Sequence, residues 1–336
     1  MHIGRSYGLR EFLHWTRRRL YALAFITVLP VVIYQVFGLR WISVPWPVVA
    51  VLGTATSFIV GFKNSQTYNR MVTGQNVWTA IEATSRYWGL LCRDFLPDRD
   101  LSKTLINRHL AWVNALRYEL RAKRVWESSF NPENAEYSRR FFCVPEDVTP
   151  VEVELGRFLD EHELLRTGKT SHKAARLMSG QSEMLRELHA GGSLLIVHYV
   201  EMQRTLKEFI GHQSAAESLK NCPYPRQYAI MNKIFVWSFA ALLPLGVIGQ
   251  FDSLNAHVGP LLSGHMAWFA FPFSMLISWL YISLDQVGES TENPFQGGAN
   301  DVPMAHICSL IEIELKQMLG ESGLPEVPCA NHDIIL

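Results

Sequence analysis

Charge is missing from four long stretches of this 336-residue chain. No Asp, Glu, Lys or Arg occurs in Leu20–Leu39, Trp41–Phe62, Ile234–Phe251 or Met266–Leu284. A helix crosses the hydrocarbon core of a bilayer with about 20 predominantly apolar residues. Buried helices of soluble proteins rarely run so long without a charge. The sequence therefore predicts four membrane-spanning helices.

Several motifs that would indicate other classes of protein are also missing. The chain has no phosphate loop, no nucleophile–base motif and no Cys-x-x-Cys pair, which argues against an enzyme, a bound cofactor and a metal site. His198 and Glu201 stand three residues apart, but no clear third metal ligand accompanies them. A formal net charge of zero argues against nucleic acid as a partner. We expect free thiols at Cys92, Cys143, Cys222, Cys308 and Cys329.

The distribution of basic residues predicts the topology. Arg5, Arg10 and the run Arg17–Arg19 precede the first apolar stretch, whereas the loop Asp252–His265 contains no Lys or Arg. Cytoplasmic loops are enriched in basic residues. With four spans, both termini are expected in the cytoplasm of a multi-pass protein of the plasma (inner) membrane. The first apolar run is too long for a signal peptide and lacks a small-residue cleavage site, so we expect no cleavage.

Hydrophobic periodicity outside the spans is helical, and strand patterns are scarce. We predict an all-α protein with an amphipathic cytosolic N-terminus (1–19), spans one and two (20–62), a cytosolic helical region (63–233), spans three and four (234–284) and a cytosolic C-terminal segment (285–336). Helices are expected at about 47–70 and at Trp78–Phe95, Leu105–Arg124, Leu185–Phe209 and Ile307–Leu319.

The stretch Val51–Arg70 begins in the predicted membrane and ends in water. Residues four apart share one face of a helix. Thr54, Phe58 and Phe62 form one stripe, which is either buried core or a hydrophobic constriction on an axis around which several copies assemble. A second stripe contains small residues, a pattern that lets helices pack closely. It consists of Gly53, Ser57 and Gly61.

Two basic residues follow the stripe of aromatic residues along the same predicted helix. Lys63 and Arg70 lie just beyond the apolar run. They either raise the local concentration of anions or form salt bridges within the helical bundle, and the sequence alone leaves both alternatives open.

Three groups of residues together resemble the bestrophin family and its bacterial homologues over about 10–320. The first is Gly61-Phe62, Asn64, Tyr68-Asn69-Arg70, Trp78 and Ser85-Arg86. The second is Pro223-Tyr224-Pro225 with Tyr228, just before the third span. The third is Glu292-Asn293-Pro294-Phe295, Asn300-Asp301, Pro303, Ile307-Cys308 and Ile311-Glu312.

The resemblance implies a homopentameric channel with one central pore and a narrow neck contributed by the second membrane helix. The three neck positions fall on Thr54, Phe58 and Phe62. Thr54 departs from the usual aliphatic residue, which predicts a wetter outer end. By the same resemblance, a cytosolic constriction is expected near Ile196 or Val197.

Calcium gating is not expected from the segment after the last span. Animal bestrophins bind calcium partly through an acidic run after Asn-Pro-Phe, and here the corresponding run 296–301 has one carboxylate, Asp301. Calcium prefers six to eight oxygen ligands, several of them carboxylates.

The function that these observations predict is passive conduction of monovalent ions, most favourably chloride and other anions, through a hydrophobic gate. The expected partners are further copies of the chain, membrane lipid and the ions. The alternatives are a monovalent cation channel of the same fold, a coupled transporter, and a membrane enzyme or receptor. Intramembrane charges and inverted repeats, which are typical of transporters, are not apparent.

Overall fold

The computed structural model describes residues 1–260 and 262–336, and these residues form twelve α-helices and no strand beyond isolated bridges. Short 3₁₀ turns cover Arg40–Ile42, Ser128–Phe130, Leu254–Ala256 and Met266–Phe269. The helices are α1 (Leu9–Val36), α2 (Trp46–Phe95), α3 (Arg99–Arg121), α4 (Pro132–Phe141), α5 (Pro145–Val148), α6 (Val151–Leu155), α7 (Glu161–Gly168), α8 (Lys173–Ala190), α9 (Ile196–Asn221), α10 (Arg226–Ser253), α11 (Ala270–Ser290) and α12 (Met304–Met318).

Four of these helices, α1, α2, α10 and α11, are long and apolar enough to cross a membrane. α10 packs against α1, α2 and α11. Only 22% of the most apolar window of α1, and likewise of α2, is buried inside the chain. Most of the remaining apolar surface must therefore contact lipid or another protein chain.

The second helix is 50 residues long because nothing in its sequence stops it. Pro47 lies in its first turn, where a missing N–H is tolerated, and the next proline is Pro97. Leu96, the residue before Pro97, is extended (φ −94°, ψ 135°), as the proline ring favours. At 1.5 Å per residue, α2 is about 75 Å long. The helices predicted at about 47–70 and at Trp78–Phe95 are therefore one continuous rod.

The main hydrophobic core lies outside the membrane segments. α3 is its centre and packs against α8, α12, α2 and α6. The largest fully buried side chains of the chain belong to this core, and they are Trp78, Trp88, Trp112, Phe209 and Phe295. The polar part of α2 is thus fixed by the cytosolic bundle, while its apolar part lies among the membrane helices.

One predicted helix is divided into two in the structure, and the first helix begins before the predicted membrane segment. The predicted helix Leu185–Phe209 is wrong, because α8 ends at Ala190 and α9 begins at Ile196. Gly192 in the intervening turn has φ +77°, a conformation that glycine adopts without strain. At the N-terminus, α1 begins at Leu9, so residues 9–19 continue the first span as one helix.

Candidate functional site

One continuous stripe of exposed residues runs along α2. Its members are spaced three or four residues apart, which keeps them on one face, and all of them are exposed in the single chain. The stripe is apolar at the membrane end and neutral polar beyond it. It consists of Thr54, Phe58, Phe62, Ser65, Asn69, Thr73, Asn76, Thr79, Ala83 and Tyr87.

The aromatic residues of this stripe are not part of the hydrophobic core of the chain. Phe58 is 76% exposed and Phe62 is 48% exposed. Thr54 is also exposed, and its hydroxyl donates a hydrogen bond to the backbone carbonyl of Ala50 at 3.0 Å. Of the two alternatives for this stripe, burial within the single chain is excluded.

The stripe of small residues has two different environments. A Cβ atom at Gly53 would lie 2.8 Å from Cε2 of Phe239, so this glycine permits close packing of α2 on α10. The Ser57 and Tyr281 hydroxyls lie 2.5 Å apart, which joins α2 to α11. A Cβ atom at Gly61 would meet no neighbouring atom of the described residues within 4 Å. This exposed glycine directly precedes Phe62, which is a member of the exposed stripe.

The opposite face of α2 carries a buried charge. Lys63 is 4% exposed, and its Nζ lies 2.6 Å from Oδ1 of Asp285 on α11. Asn232 of α10 donates its side-chain N–H to the same carboxylate oxygen. Arg19 of α1 lies farther away, with Nη1 at 3.9 Å from Oδ2 of Asp285. The structure therefore shows Lys63 as a salt-bridged residue that joins three membrane helices, and its charge is not exposed to ions.

Arg70 is also held by the fold. Its Nε donates to the carbonyl of Glu292 at 2.9 Å, and its Nη2 donates to the carbonyl of Leu219 at 3.0 Å. The guanidinium thus bridges α2, the end of α9 and the segment after α11. Because its hydrogen-bond acceptors among the described residues are carbonyls, Arg70 keeps its positive charge without a carboxylate in direct contact.

Ile196 and Val197 lie at the other end of the same rod. They begin α9 and are 55% and 72% exposed. The adjacent His198 stacks on Phe95, the last residue of α2, with ring centroids 3.9 Å apart. The predicted neck and the predicted cytosolic constriction therefore lie near opposite ends of α2, about 50 Å apart along the helix at 1.5 Å per residue.

The segment after α11 is tied to α2 by Arg70 and to α10 by Arg226, and it folds around its own carboxylate. Glu292 lies 2.6 Å from Nη2 of Arg226. Asp301 is buried and accepts hydrogen bonds from the backbone N–H groups of Gly297 (2.8 Å) and Gly298 (2.9 Å). The Nη1 atom of Arg121 lies 3.9 Å from the same carboxylate. Burial raises the pKa of Asp301, and the Arg121 charge and the two N–H donors oppose that rise.

Two features of this site were not predicted from the sequence. Asp285 and Asn232, the partners of Lys63, lie more than 160 residues away along the chain, so no local pattern reveals them. The polar half of the stripe, Ser65 to Tyr87, could have been predicted from the sequence, because helical spacing continues past Arg70 without a proline or a cap. It was missed because two separate helices were predicted instead of one.

Comparison with known proteins identifies the relatives of this chain. The chain is 25% identical over 306 residues to the voltage-dependent anion channel-forming protein YneE of Salmonella typhi, which covers 91% of this chain and 86% of the relative. It is 22% identical over 347 residues to the voltage-dependent anion channel-forming protein RSc3414 of Ralstonia nicotianae, with 97% and 99% covered.

The fold is that of a solved bacterial bestrophin homologue from Klebsiella pneumoniae. The TM-score is 0.74 at 23% identity, over 91% of this chain and 98% of the other. A family model described as Bacterial/Fungal Bestrophin protein matches residues 13–317. This match spans most of the chain, from α1 to α12, and includes the exposed stripe. The chain belongs to the bacterial and fungal bestrophin family.

Proposed function

We propose that this chain is the subunit of a passive ion channel, a homopentamer with one central pore lined by α2 of each copy. The observation that carries the proposal is the exposed stripe on α2. Two Phe rings exposed in the membrane part, followed by neutral polar side chains, suit a pore that narrows at an apolar neck and widens into water. Closed rings are the usual symmetry of homo-oligomers.

The proposed neck is formed by rings of Thr54, Phe58 and Phe62. An ion that passes two rings of Phe side chains loses part of its hydration, which is costly in an apolar passage. Hydrophobic constrictions gate by dewetting, so a small widening at Phe58 and Phe62 switches conduction steeply. The Thr54 hydroxyl oxygen keeps a free lone pair beside its bond to Ala50, which makes the outer end of the neck wetter than the inner end.

Chloride and other anions are the proposed main substrates. The partially positive edges of the Phe rings favour anions, and the names of the bacterial relatives as anion channel-forming proteins agree with this choice. Basic side chains contribute less to the attraction of anions than the sequence alone suggested, because Lys63 is buried against Asp285. Of the two basic residues Lys63 and Arg70, Arg70 is therefore the one that can attract anions towards the pore.

The monovalent cation channel is the second candidate, because the exposed stripe does not distinguish the sign of the ion. No residue of the exposed stripe from Thr54 to Tyr87, all of it in the described part of the chain, carries a charge. Hydroxyl and amide groups donate to anions and accept from cations alike. Selectivity for anions is therefore a property to be measured, and the neck mechanism is the same for both ions.

The remaining parts of the proposal concern the cytosolic side. Ile196 and Val197 form the second constriction, at the far end of α2. Both termini lie in the cytoplasm of the inner or plasma membrane. The contact between the two ends of the chain supports a common side, because the N–H of Ile3 donates to the carbonyl of Asp333 at 2.8 Å.

The experiment that tests the neck is a flux assay in liposomes. The double variant Phe58→Ala/Phe62→Ala should keep its assembly and raise chloride flux about ten-fold or more, because the apolar barrier is removed. The matched control is Phe25→Ala/Phe273→Ala, which removes two exposed Phe rings from α1 and α11. Equal flux in the wild type and the neck variant would show that the neck lies elsewhere.

Selectivity is tested by the reversal potential of the wild-type protein in a planar bilayer with a several-fold potassium chloride gradient. A reversal near the chloride equilibrium potential supports the anion channel. A reversal near the potassium equilibrium potential replaces it with the cation channel.

A further inference from the structure

A cavity of about 600 Å³ lies outside the proposed pore, where the first turns of α1 meet α4 and the segment after α11. Val287 and Ser290 of α11 also line it. Its size falls within the range of small-molecule sites, which are concave and mostly apolar with a few placed polar groups. The channel mechanism described above makes no use of this cavity.

Six aromatic side chains line the cavity. Two of them have their polar hydrogens already engaged, because Trp15 Nε1 donates to Asn134 Oδ1 (2.8 Å) and the Tyr7 hydroxyl donates to Asn300 Oδ1 (3.0 Å). What they present to the cavity is therefore mainly ring surface. The aromatic residues are Tyr7, Phe12, Trp15, Phe130, Tyr137 and Phe142.

A carboxylate lies among these rings. Glu11 lines the cavity, and its Oε1 accepts a hydrogen bond from the Tyr137 hydroxyl. Within the described residues, no Lys, Arg or His nitrogen lies within 4.0 Å of Glu11, and its Oε2 accepts no hydrogen bond. Burial raises the pKa of both Tyr7, to about 12, and Tyr137, so both hydroxyls stay neutral.

The other charges on the wall are already compensated or exposed. Lys123 and Asp147 form an ion pair with Nζ and Oδ2 3.0 Å apart, and both are about half exposed. Arg139 is exposed and donates from Nε to the carbonyl of Ala135 at 3.2 Å. Among the described residues, Glu11 is therefore the lining carboxylate without an ion pair, since Asp147 is paired with Lys123.

We propose that this cavity binds an organic cation, a primary or quaternary ammonium group on an apolar or aromatic body. The ammonium would take the free side of the Glu11 carboxylate, and aromatic faces attract cations through their quadrupoles. The apolar body would fill the space beside Phe130 and Phe142. An anionic ligand of the same shape would be repelled by Glu11.

Occupancy of the cavity is mechanically linked to α2. The segment 296–300 forms one wall, and it continues directly from Pro294 and Phe295. A Cβ atom at Gly74 of α2 would lie 3.0 Å from Pro294 and 3.2 Å from Phe295, so these two residues pack closely against the helix. A ligand that stiffens this wall would bias the position of α2. This regulatory step rests on the proposed channel function, whereas the binding step does not.

Binding is tested by calorimetry on the purified full chain with three probes of one shape, which are tryptamine (cation), tryptophol (neutral) and indole-3-acetate (anion). Tryptamine should bind at least about ten-fold more tightly than the other two, as one charge-assisted contact of about 1.4 kcal/mol provides. Glu11→Gln should remove that difference. Glu133→Gln, on α4 outside this cavity, should retain it.

A second variant keeps the test valid if Glu11→Gln misfolds. Ala135→Leu fills the cavity from α4 and should weaken tryptamine binding at least ten-fold while the melting temperature stays unchanged. Equal affinities for the three probes, an unaffected Glu11→Gln variant or no binding at all would overturn the proposal.

Two further measurements separate the source and the consequence of binding. Tryptamine affinity that falls more from phosphatidylglycerol to phosphatidylethanolamine nanodiscs in the wild type than in Glu11→Gln identifies a lipid ammonium as the occupant. An equal change in both proteins reflects only the attraction of tryptamine to the anionic bilayer and identifies a soluble amine. Tryptamine should change ion flux in the wild type and not in Glu11→Gln. Unchanged flux with intact binding overturns the regulatory step alone, and absence of any flux without ligand counts against the channel itself.

Discussion

At the scale of the residue, the buried Lys63–Asp285 pair decides how α2 is fixed at the edge of the membrane segment. Both side chains are less than a tenth exposed, and Asn232 supplies a further hydrogen bond to the carboxylate. Transfer of two charges from water to a buried site carries a high desolvation penalty, which their mutual attraction offsets. Removal of one partner leaves the other charge without that compensation. We therefore expect the pair to fix the register of α2 against α10 and α11.

Lys63→Met should destabilise the chain by about 3–5 kcal/mol, because Asp285 would remain buried with only the more distant Arg19 guanidinium, 3.9 Å away, as a counter-charge. The measurement is reversible unfolding of the detergent-purified protein. Lys103→Met is the matched control, since the Lys103–Glu321 pair is half exposed on the lysine side and such pairs contribute about 1 kcal/mol or less.

The double variant Lys63→Met/Asp285→Leu should recover much of the lost stability, because no unpaired charge remains. A double variant no more stable than Lys63→Met would show that packing, rather than charge, is what Lys63 supplies.

His109 is a buried residue whose protonation the fold disfavours. Ser85 Oγ donates to the carbonyl of Ile81 at 2.6 Å, so His109 Nε2, 2.9 Å from Ser85 Oγ, must be the N–H donor of that contact. Nδ1 is then unprotonated, and it is buried without a hydrogen-bond partner among the described residues. Burial lowers the pKa of His109 to about 3.

Stability should therefore fall as the pH drops from 6.5 towards 3. Above pH 6.5 the imidazole is neutral in both the folded and unfolded states, and below it the unfolded state binds a proton that the folded state does not. At pH 5 this difference amounts to about 2 kcal/mol. The free energy of unfolding of His109→Gln should depend less on pH over this range than that of the wild type. His172→Gln, at an exposed site, should leave the dependence unchanged.

At the scale of the element, α2 is a rod that enters both halves of the molecule. Its membrane part packs on α10 and α11, and its cytosolic part packs on α9 and α12. A displacement at the cytosolic end can therefore reach Phe58 and Phe62 without an intervening hinge, because no proline interrupts the rod after Pro47. At Gly74 the segment after α11 packs closely against this rod, because a Cβ atom there would lie 3.0 Å from Pro294.

Gly74→Ala should destabilise the fold, whereas Gly61→Ala should not. The added methyl group at Gly74 meets Pro294 at 3.0 Å, and the one at Gly61 meets none of the described residues within 4 Å. Both changes gain the same helix propensity of about 1 kcal/mol. Their difference in unfolding free energy thus isolates the packing term, expected at about 1–3 kcal/mol. Equal stabilities would mean that Pro294 moves aside freely.

At the scale of the whole molecule, the exposed apolar faces of the membrane helices and the neutral polar stripe of α2 require different surroundings. Lipid suits the outer faces, and a water-filled axis suits the stripe. A ring of copies satisfies both requirements, and a single chain satisfies only the first. The buried Asp301 loop closes on its own N–H donors and, within the described residues, leaves no unsatisfied acidic cluster for calcium.

The proposed pentamer predicts that native mass spectrometry of the detergent-solubilised protein gives the mass of five chains. The proposed lack of calcium gating predicts that ion flux is the same with calcium and with a calcium chelator. The calcium result follows from the occupied carboxylate, since calcium requires several free oxygens. A stable monomer, or flux that depends on micromolar calcium, would contradict these two expectations respectively. Asp301→Asn tests the loop itself and should leave flux insensitive to calcium.

Sequence alone was sufficient for the features that depend on local pattern. Charge-free runs predicted four membrane helices, and the described residues contain four helices that are long and apolar enough to cross a membrane. The order of Gly61-Phe62, the Pro-x-Pro element and Asn293-Pro294-Phe295 identified the family, which is confirmed. These features are encoded in composition and spacing, which act over a few helical turns and need no knowledge of distant contacts.

Only the tertiary structure decided which faces of those helices are covered. It distinguished Lys63, paired with Asp285 across 222 positions, from a lysine open to ions, and it left Phe58 exposed although an aromatic stripe in a helix is usually core. It also brought Glu11, Tyr137 and Asn300 around one cavity. The physical reason is that burial depends on neighbours far away in the sequence, whereas periodicity reports only that a face exists.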